Sequence, residues 1–491
     1  MILSKIIKAV KAEQVAGRQD LEISSIAFDS RQVKPGSLFV AVPGFKTDGS
    51  AFMVSAVKSG AVAVIAGKAA AAPAGVTLVK VNDPRSALAA ASAEFFDNPS
   101  GKLRMAGITG TSGKTTTTYL LRSIFRKNGE KTGLVGTIEY DLDGEKVESK
   151  NTTPESLTLQ ELLDRMVKKG FNACVMEVSS HSLELHRVDG IEFDAAVFLN
   201  LTQDHMDFHG TFEGYLAAKL KLFGMMQGKK PGPKVCAVNA DDLRAAEFIK
   251  AAKVPVLTFG FNEGSDLRAV NVSNTQTGLK FDIARAGGFC PLDLKLKGSY
   301  NAYNAMAAAA VAAGLNIGWE TIKAGLEAVE NVPGRFETYK SPAGFTAVVD
   351  YAHKPDALQR LLEAARGMGA KRIITVFGCG GERDRAKRPM MGGISARLSD
   401  FTVVTSDNPR SENPAEIISE ITGSMNKAKF CVVPDRKRAI FEAVNMAKEG
   451  DIVVIAGKGH EEYQLIGGKV NHFSDKEAVL EAISAGGKWK E

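Results

Sequence analysis

The segment GITGTSGKTTTT, residues 107–118, holds the residues best suited to do chemistry. Successive glycines and small residues let backbone N–H groups turn inward around phosphate oxygens. Lys114 is spaced to reach the β- and γ-phosphates of a nucleotide, and the Thr115 hydroxyl to hold Mg²⁺. The strict Walker pattern requires a glycine where this chain has Ile108. The match is to a shorter form, made of Gly110, Thr111, Ser112, Gly113, Lys114, Thr115 and Thr116. A plain glycine turn before a helix is disfavoured by the apolar strand ahead of it and by the Lys-Thr-Thr run. Motor, GTPase, kinase and ligase chemistry all stay open at this point. A guanine-reading NKxD-type segment, which a G protein needs, is not found.

Further metal ligands must come from elsewhere in the chain. MEVSSHSLELHR (176–187) ends an apolar strand in Glu177, where a phosphate-loop fold places a carboxylate near Mg²⁺. NLTQDHMDFHG (200–210) offers Asp204, His205, Asp207 and His209 after another strand. His205 and His209 at i, i+4 would also permit zinc, but oxygen ligands with Mg²⁺ suit a nucleotide site better.

The elements that position these residues form three blocks. Residues 1–97 alternate short strands (SLFVAVPG, GAVAVIAG) with helices (RSALAAASAEFF), and DNPSGKL reads as a linker. The second block, 98–334, opens on the apolar strand RMAGIT (104–109). Strands ACVMEV, AAVFLNL and KVCAVNA follow, then an Ala-rich helix near 301–314. NVPGRFE (331–337) carries the next boundary. In the third block, 335–491, the apolar runs of FTAVVDYAH, KRIITVFGCGG, DFTVVTSDNPR and DIVVIAGKGHE each break into polar and glycine residues. Continuous apolar strands alternating with helices predict parallel sheets covered on both faces, with ligands beyond the carboxyl ends of the strands. The fold class expected is α/β in three domains, with a central phosphate-loop domain and a Rossmann-like C-terminal domain.

Composition agrees. A chain of 491 residues has length for about three domains. Its 24% charged and 44% hydrophobic residues exclude a disordered tail, a collagen-like fibre and a small disulfide scaffold. The net charge of +6 is thin and interleaved, unlike the basic stripe of a nucleic-acid binder. No apolar run is long enough to span a membrane. Lys5, Lys8 and Lys11 make the N-terminus an amphipathic helix, not a signal peptide. Five scattered cysteines, with no CxxC pair, read as reduced thiols of a cytoplasmic protein.

Taken together the motifs resemble those of the Mur ligases, which add amino acids to the peptidoglycan precursor. The marks run along nearly the whole chain: DSRQVKPGSLFVAVPG, GTSGKTT, NTTPE, MEVSSH, NLTQDHMDFHG, AAKLKLF, GSYNAYN, PGRFE, DYAHKPDAL, GCGGERDRAKRP, DNPRSE and AGKGHE. The resemblance implies an ATP-dependent ligase that activates a carboxylate as an acyl phosphate, which an amine then displaces. It implies UDP-N-acetylmuramoyl-L-alanyl-D-glutamate, meso-diaminopimelate and ATP as substrates, with neither nucleic acid nor membrane as partner, and a monomer is expected.

Residue by residue, the resemblance implies Thr115, Glu177 and His205 around the metal. Lys219 alone would read as a solvated or snorkelling residue. The resemblance instead makes it a lysine carbamylated by CO₂, an anionic metal ligand, and passes over Lys221. Asn301 or Asn304 would meet the adenine, although either could equally cap the Ala-rich helix. Arg335, Asp350 and His353 would contact ATP from across the domain boundary. Ser30 would contact uridine. Thr152, Thr153, Ser179 and Arg187 would hold the muramoyl peptide, while Leu185 replaces a glutamine of some relatives and is left out. Arg383, Asp407, Asn408, Arg410, Gly457 and Glu461 would bind the acceptor amino acid. Retention of Arg410 favours diaminopimelate over lysine, because a guanidinium can grip the extra carboxylate bidentately. A lysine-adding ligase is the alternative within the class. A regulatory phosphate-loop ATPase is the alternative outside it and leaves the third-block motifs unexplained, and a folylpolyglutamate synthase leaves DSR, NTTP and DNPR unexplained together.

Overall fold

The computed structural model describes all residues except 45–46, 72, 150, 228–229, 276, 427–428, 488 and 490–491. Three α/β units follow one another along the chain, each built on its own sheet. In the first, the parallel strands Ser25–Ala27, Ser37–Val40, Ala61–Gly67 and Thr77–Val81 are edged by the antiparallel Gln14–Ala16.

The second sheet has eleven strands. Arg104–Thr109 lies inside it, between the parallel strands Ala173–Glu177 and Ala195–Phe198. Beyond Arg104 these strands are buried, as their apolar runs required. Helices Lys114–Lys127 and Tyr300–Gly314 pack over them. Alanine along the second helix buries it on nearly every side. Helix Trp319–Glu327 approaches still more closely. A Cβ on its Gly325 would lie 2.5 Å from the Cα of Ile124, so only glycine fits that crossing.

Both edges of this sheet differ from the parallel expectation. Thr132–Val135, Glu139–Leu142 and Glu145–Glu148 form an antiparallel meander at one edge, and Leu267–Asn274, Leu279–Arg285 and Gly288–Leu294 form another at the opposite edge. The strands of the first meander are only 4 residues long, and those of the second are half-exposed. Leu279, Phe281 and Ile283 alternate inward, with Cys290, Leu292 and Leu294 opposite. Period-2 alternation of that kind is quieter than a continuous apolar run.

The third sheet orders Glu337–Lys340, Thr346–Asp350, Ile452–Ala456, Ile373–Phe377, Phe401–Val404 and Phe430–Val432, all parallel except the first. A hairpin of Tyr463–Ile466 and Lys469–His472 stands beside it. Arg436 and Asp475 form an ion pair with both side chains 0% exposed, tying two helices behind this sheet. No helix among the described residues is long and apolar enough to cross a membrane.

Candidate active site

The phosphate loop leaves the strand at Thr109 and enters the helix at Lys114. Gly110 and Gly113 have φ of +151° and +88°, conformations that side-chain-bearing residues rarely adopt. A Cβ on Gly113 would also lie 2.4 Å from the Asn304 Oδ1. Asn200, from the neighbouring strand end, braces the loop. Its Oδ1 accepts from the Ser112 N–H at 2.9 Å, and its carbonyl accepts from the Thr111 N–H at 2.9 Å. The remaining N–H groups of the helix's first turn have no intrahelical carbonyl, which suits them to phosphate oxygens.

This loop opens on a cleft of about 1250 Å³ lined from the second and third units. The Thr115 hydroxyl donates to the Glu177 Oε1 at 3.0 Å, and the Arg335 Nη2 donates to the Thr115 Oγ1 at 3.1 Å. Glu177 is also held by the Thr137 N–H at 2.8 Å and the Thr137 hydroxyl at 3.0 Å. The Lys114 ammonium donates to the Gly110 carbonyl at 2.8 Å. Burial, with the nearby charge of Lys354, pulls its pKa down to about 8.

The solvated or snorkelling reading of Lys219 is overturned. Its side chain is 1% exposed, and its Nζ donates to the Gly110 carbonyl at 3.0 Å. Helix Phe212–Gly224 turns this residue inward against the loop, while Lys221 faces out to Glu184. Burial, then Lys114 and Lys354, holds the Lys219 amine well below the ordinary lysine range. A neutral amine in that place is a nucleophile for CO₂, and the carbamate formed would exchange a disfavoured cation for an anion between two cations.

The donor set fits Mg²⁺. Thr115 and Glu177 offer hard oxygens, and His205 lines the same cleft, although its Nε2 meets Asp204 at 2.9 Å. Among the described residues no group of three His, Cys, Asp or Glu could hold a metal unaided. Phosphate oxygens would therefore complete the shell, as is common for Mg²⁺. The zinc option through His209 finds that Nε2 paired with the Ser180 hydroxyl at 2.9 Å.

Asn301 and Asn304 both line the cleft, and neither side chain caps its helix. Asn304 donates to Asn301 at 2.8 Å, and Asn301 donates to the Lys297 carbonyl at 2.7 Å. Asp350 accepts from the Phe336 and Ala352 N–H groups, each at 2.7 Å, and His353 bonds the Tyr351 carbonyl at 2.8 Å.

The expected peptide-binding residues Thr152, Thr153, Ser179 and Arg187 lie near one another on the second unit. Thr152 and Ser179 line the cleft rim. Thr153 donates to the Glu177 carbonyl at 2.8 Å, and Arg187 donates to the Thr153 carbonyl at 3.1 Å while pairing with Glu155 at 2.7 Å. Arg85 of the first unit approaches the other oxygen of Glu155 at 3.9 Å. Ser30 stands apart from them on the short turn Ser30–Gln32, beside the Asp29–Arg31 pair.

A separate constellation occupies the strand ends of the third sheet. Asn408 donates to the Glu461 Oε2 at 3.0 Å. The fully buried Lys458 donates to the Asn408 Oδ1 at 2.9 Å and to the Glu461 Oε2 at 3.3 Å. Gly457 has φ of +125°, and a Cβ there would lie 2.6 Å from the Asp407 Oδ2. Arg410 donates from its Nη1 to the Gly381 carbonyl at 2.7 Å, which clamps the glycine-rich loop, and Arg383 projects exposed from that loop.

Sequence reasoning missed Asn200, Thr137, Tyr351 and Lys458. Tyr351 donates to the Glu461 Oε1 at 3.3 Å, and its ring lies 4.6 Å from the Arg335 guanidinium. It thus spans from the Asn408–Lys458–Glu461 cluster to the cleft beside the phosphate loop. All but Thr137 lie inside motifs already singled out, so position in the motif was the available signal. Arg410→Ala is expected to raise KM for an acceptor bearing a distal carboxylate about 10- to 100-fold, since hydrogen bonds to charged groups contribute about 1.5–3 kcal/mol. KM for ATP should hold steady. Steady-state kinetics check this, and equal rises for both substrates would make Arg410 a structural clamp only.

Comparison with known proteins follows the same three-part division. Residues 22–96 match the Mur ligase family catalytic domain, 108–312 the Mur ligase middle domain, and 334–459 the Mur ligase glutamate ligase domain. The chain is 45% identical to UDP-N-acetylmuramoyl-L-alanyl-D-glutamate–2,6-diaminopimelate ligase 1 of Clostridium acetobutylicum, over 98% of this chain and 99% of that one. It is 43% identical to the corresponding ligase of Caldanaerobacter subterraneus, covering 99% of each. A solved structure of a ligase of that name superposes with a TM-score of 0.69 at 29% identity, covering 99% of both chains. MurF ligase from Thermotoga maritima in complex with ADP shares the fold with a TM-score of 0.66 at 22% identity, over 96% of this chain and 99% of that one.

Proposed function

The chain belongs to the Mur ligase family, and on that premise we propose that it joins meso-2,6-diaminopimelate to UDP-N-acetylmuramoyl-L-alanyl-D-glutamate. ATP is consumed to ADP and phosphate, and the product extends the stem peptide of the peptidoglycan precursor. The observation that carries this reading is the pairing of two sites. One is a phosphate loop whose Thr115 meets Glu177 and Arg335. The other is the Asn408–Lys458–Glu461 cluster, suited to an amino-acid head.

The chemistry follows from the substrates. A carboxylate acylates poorly because its leaving group would be oxide. Transfer of the γ-phosphoryl group to the D-glutamate γ-carboxylate makes an acyl phosphate and ADP. The acceptor amine then attacks the acyl carbon, and the tetrahedral intermediate expels phosphate. The first step brings two anions together, and Lys114 and Arg335 offset that repulsion. Thr115, Glu177, His205 and carbamylated Lys219 would hold Mg²⁺, which supplies further charge neutralisation at the phosphate oxygens. Arg187 and the Thr152–Thr153 pair would orient the peptide. Glu461 and Asn408 would take the acceptor's amino-acid head, with Arg410 on the distal carboxylate. Closure of the third domain would exclude water from the acyl phosphate.

We place the domain limits at 97/98 and 334/335, giving UDP recognition, ATP chemistry and acceptor selection in that order. The enzyme is expected to act as a cytoplasmic monomer. Phosphate release by the purified protein, with the UDP-dipeptide and either meso-diaminopimelate or L-lysine, tests the reading. Release is expected with diaminopimelate and little with lysine. The reverse preference would reassign the acceptor. Release that needs neither carboxylate nor amine would remove the ligase reading.

A further inference from the structure

Lys354 belongs to none of the roles assigned above, yet its place in the fold gives it one. It sits at the start of helix Pro355–Gly367, directly after the turn that carries Asp350 and His353. It lines the same cleft as Lys114, Thr115, Glu177 and Arg335. Its side chain is 18% exposed, and its ammonium reaches across the domain boundary to the Asp204 carboxylate, 14% exposed. Asp204 is shared with the imidazole of His205. Burial would push the Asp204 carboxyl up, but Lys354 and His205 outweigh it and hold it well below the usual carboxylate range. After burial, Lys354 is the strongest influence depressing Lys114, and it also acts on Lys219 and His353. Its ammonium therefore stands on the cleft into which the phosphate loop opens.

We propose that Lys354 is a third-domain cation of the triphosphate site, with Asp204 as the carboxylate that a terminal phosphate oxygen displaces. This rests on the ATP-dependent reading above. The argument is one of charge and reach. A nucleoside triphosphate brings several negative charges into a partly buried cleft, where Lys114 and Arg335 are the cations already assigned. Lys354 lines the same cleft as that loop and comes from the third unit, whose Arg335 already meets Thr115. An ammonium on a flexible stem can exchange one carboxylate oxygen for a phosphate oxygen without rebuilding its surroundings. Asp204 keeps a hydrogen-bond partner in the His205 imidazole when the ammonium moves away. Binding of the triphosphate would in this way exchange an interdomain ion pair for a bridge from the third domain to the nucleotide.

Calorimetric titration of ATP, ADP and AMP, with magnesium, into wild type, Lys354→Met, Lys354→Arg and Asp204→Asn provides the test. Lys354→Met is expected to weaken ATP about 10- to 100-fold, the range for a hydrogen bond between charged groups. AMP should bind as in wild type, and Lys354→Arg should recover most of the ATP affinity. Asp204→Asn should keep or tighten ATP binding, because the competing carboxylate is gone. Unchanged ATP affinity in Lys354→Met would overturn the assignment. So would equal weakening in Lys354→Met and Asp204→Asn, which would mark the pair as an interdomain latch and nothing more. Wild-type protein that binds no ATP would overturn the ligase reading itself, and this assignment with it.

Discussion

Replacing Lys114 by methionine is expected to lower kcat about 100- to 1000-fold while the protein stays folded, the cost typical of removing one preorganised charged donor from a transition state. The side chain is half-buried, and its ammonium now rests on the Gly110 and Thr111 carbonyls at 2.8 and 3.2 Å. Those oxygens hold the ammonium over the loop, where the β- and γ-phosphates would lie. Methionine keeps the stem's volume and removes the charge, so packing against the loop survives. Burial already depresses this lysine to about 8, so its charge costs free energy without a ligand and is stabilised by an anion. The check is single-turnover formation of ADP, alongside circular dichroism and a melting curve. A variant with near-normal turnover would remove Lys114 from the chemistry. A variant that melts far below wild type would show that the residue serves folding.

Lys219→Ala is expected to lose at least about 100-fold in kcat, by the same preorganisation argument applied to an anionic ligand near the phosphates. Small carboxylates such as acetate should recover part of that loss by entering the space the side chain leaves. The prediction depends on where the amine sits. It is buried, directed at the Gly110 carbonyl, and 4.5 Å from the Tyr215 ring centroid. A permanent ammonium beside Lys114 and Lys354 would be repelled. A carbamate there would be attracted to both and would offer oxygens able to hold Mg²⁺. Intact-mass measurement under CO₂ and bicarbonate gives an independent readout, since the carbamate adds the mass of CO₂. Full activity in the alanine variant would overturn the carbamate assignment. Loss without carboxylate rescue, and with no added mass on the wild type, would make Lys219 a packing residue of the loop.

The sequence by itself determined the buried parallel strands. Arg104–Thr109, Ala173–Glu177, Ile373–Phe377 and Ile452–Ala456 each fall inside an apolar run read without coordinates, because a strand buried on both faces must be apolar throughout. The phosphate loop was equally legible, since positive φ at Gly110 and Gly113 admits few other residues. The antiparallel edges were not, because half-exposed strands alternate polar and apolar residues over short spans.

Only the tertiary structure decided which polar residues meet. Lys219 is 109 residues from Gly110, Arg335 is 220 from Thr115 and Lys354 is 150 from Asp204, yet each pair is in contact. A local pattern describes which face of an element a residue lies on. It carries no information on what another element, folded against that face, will bring to it. Burial likewise belongs to the assembled fold, so Lys219, which looks solvated on its own helix, became a buried amine of the site.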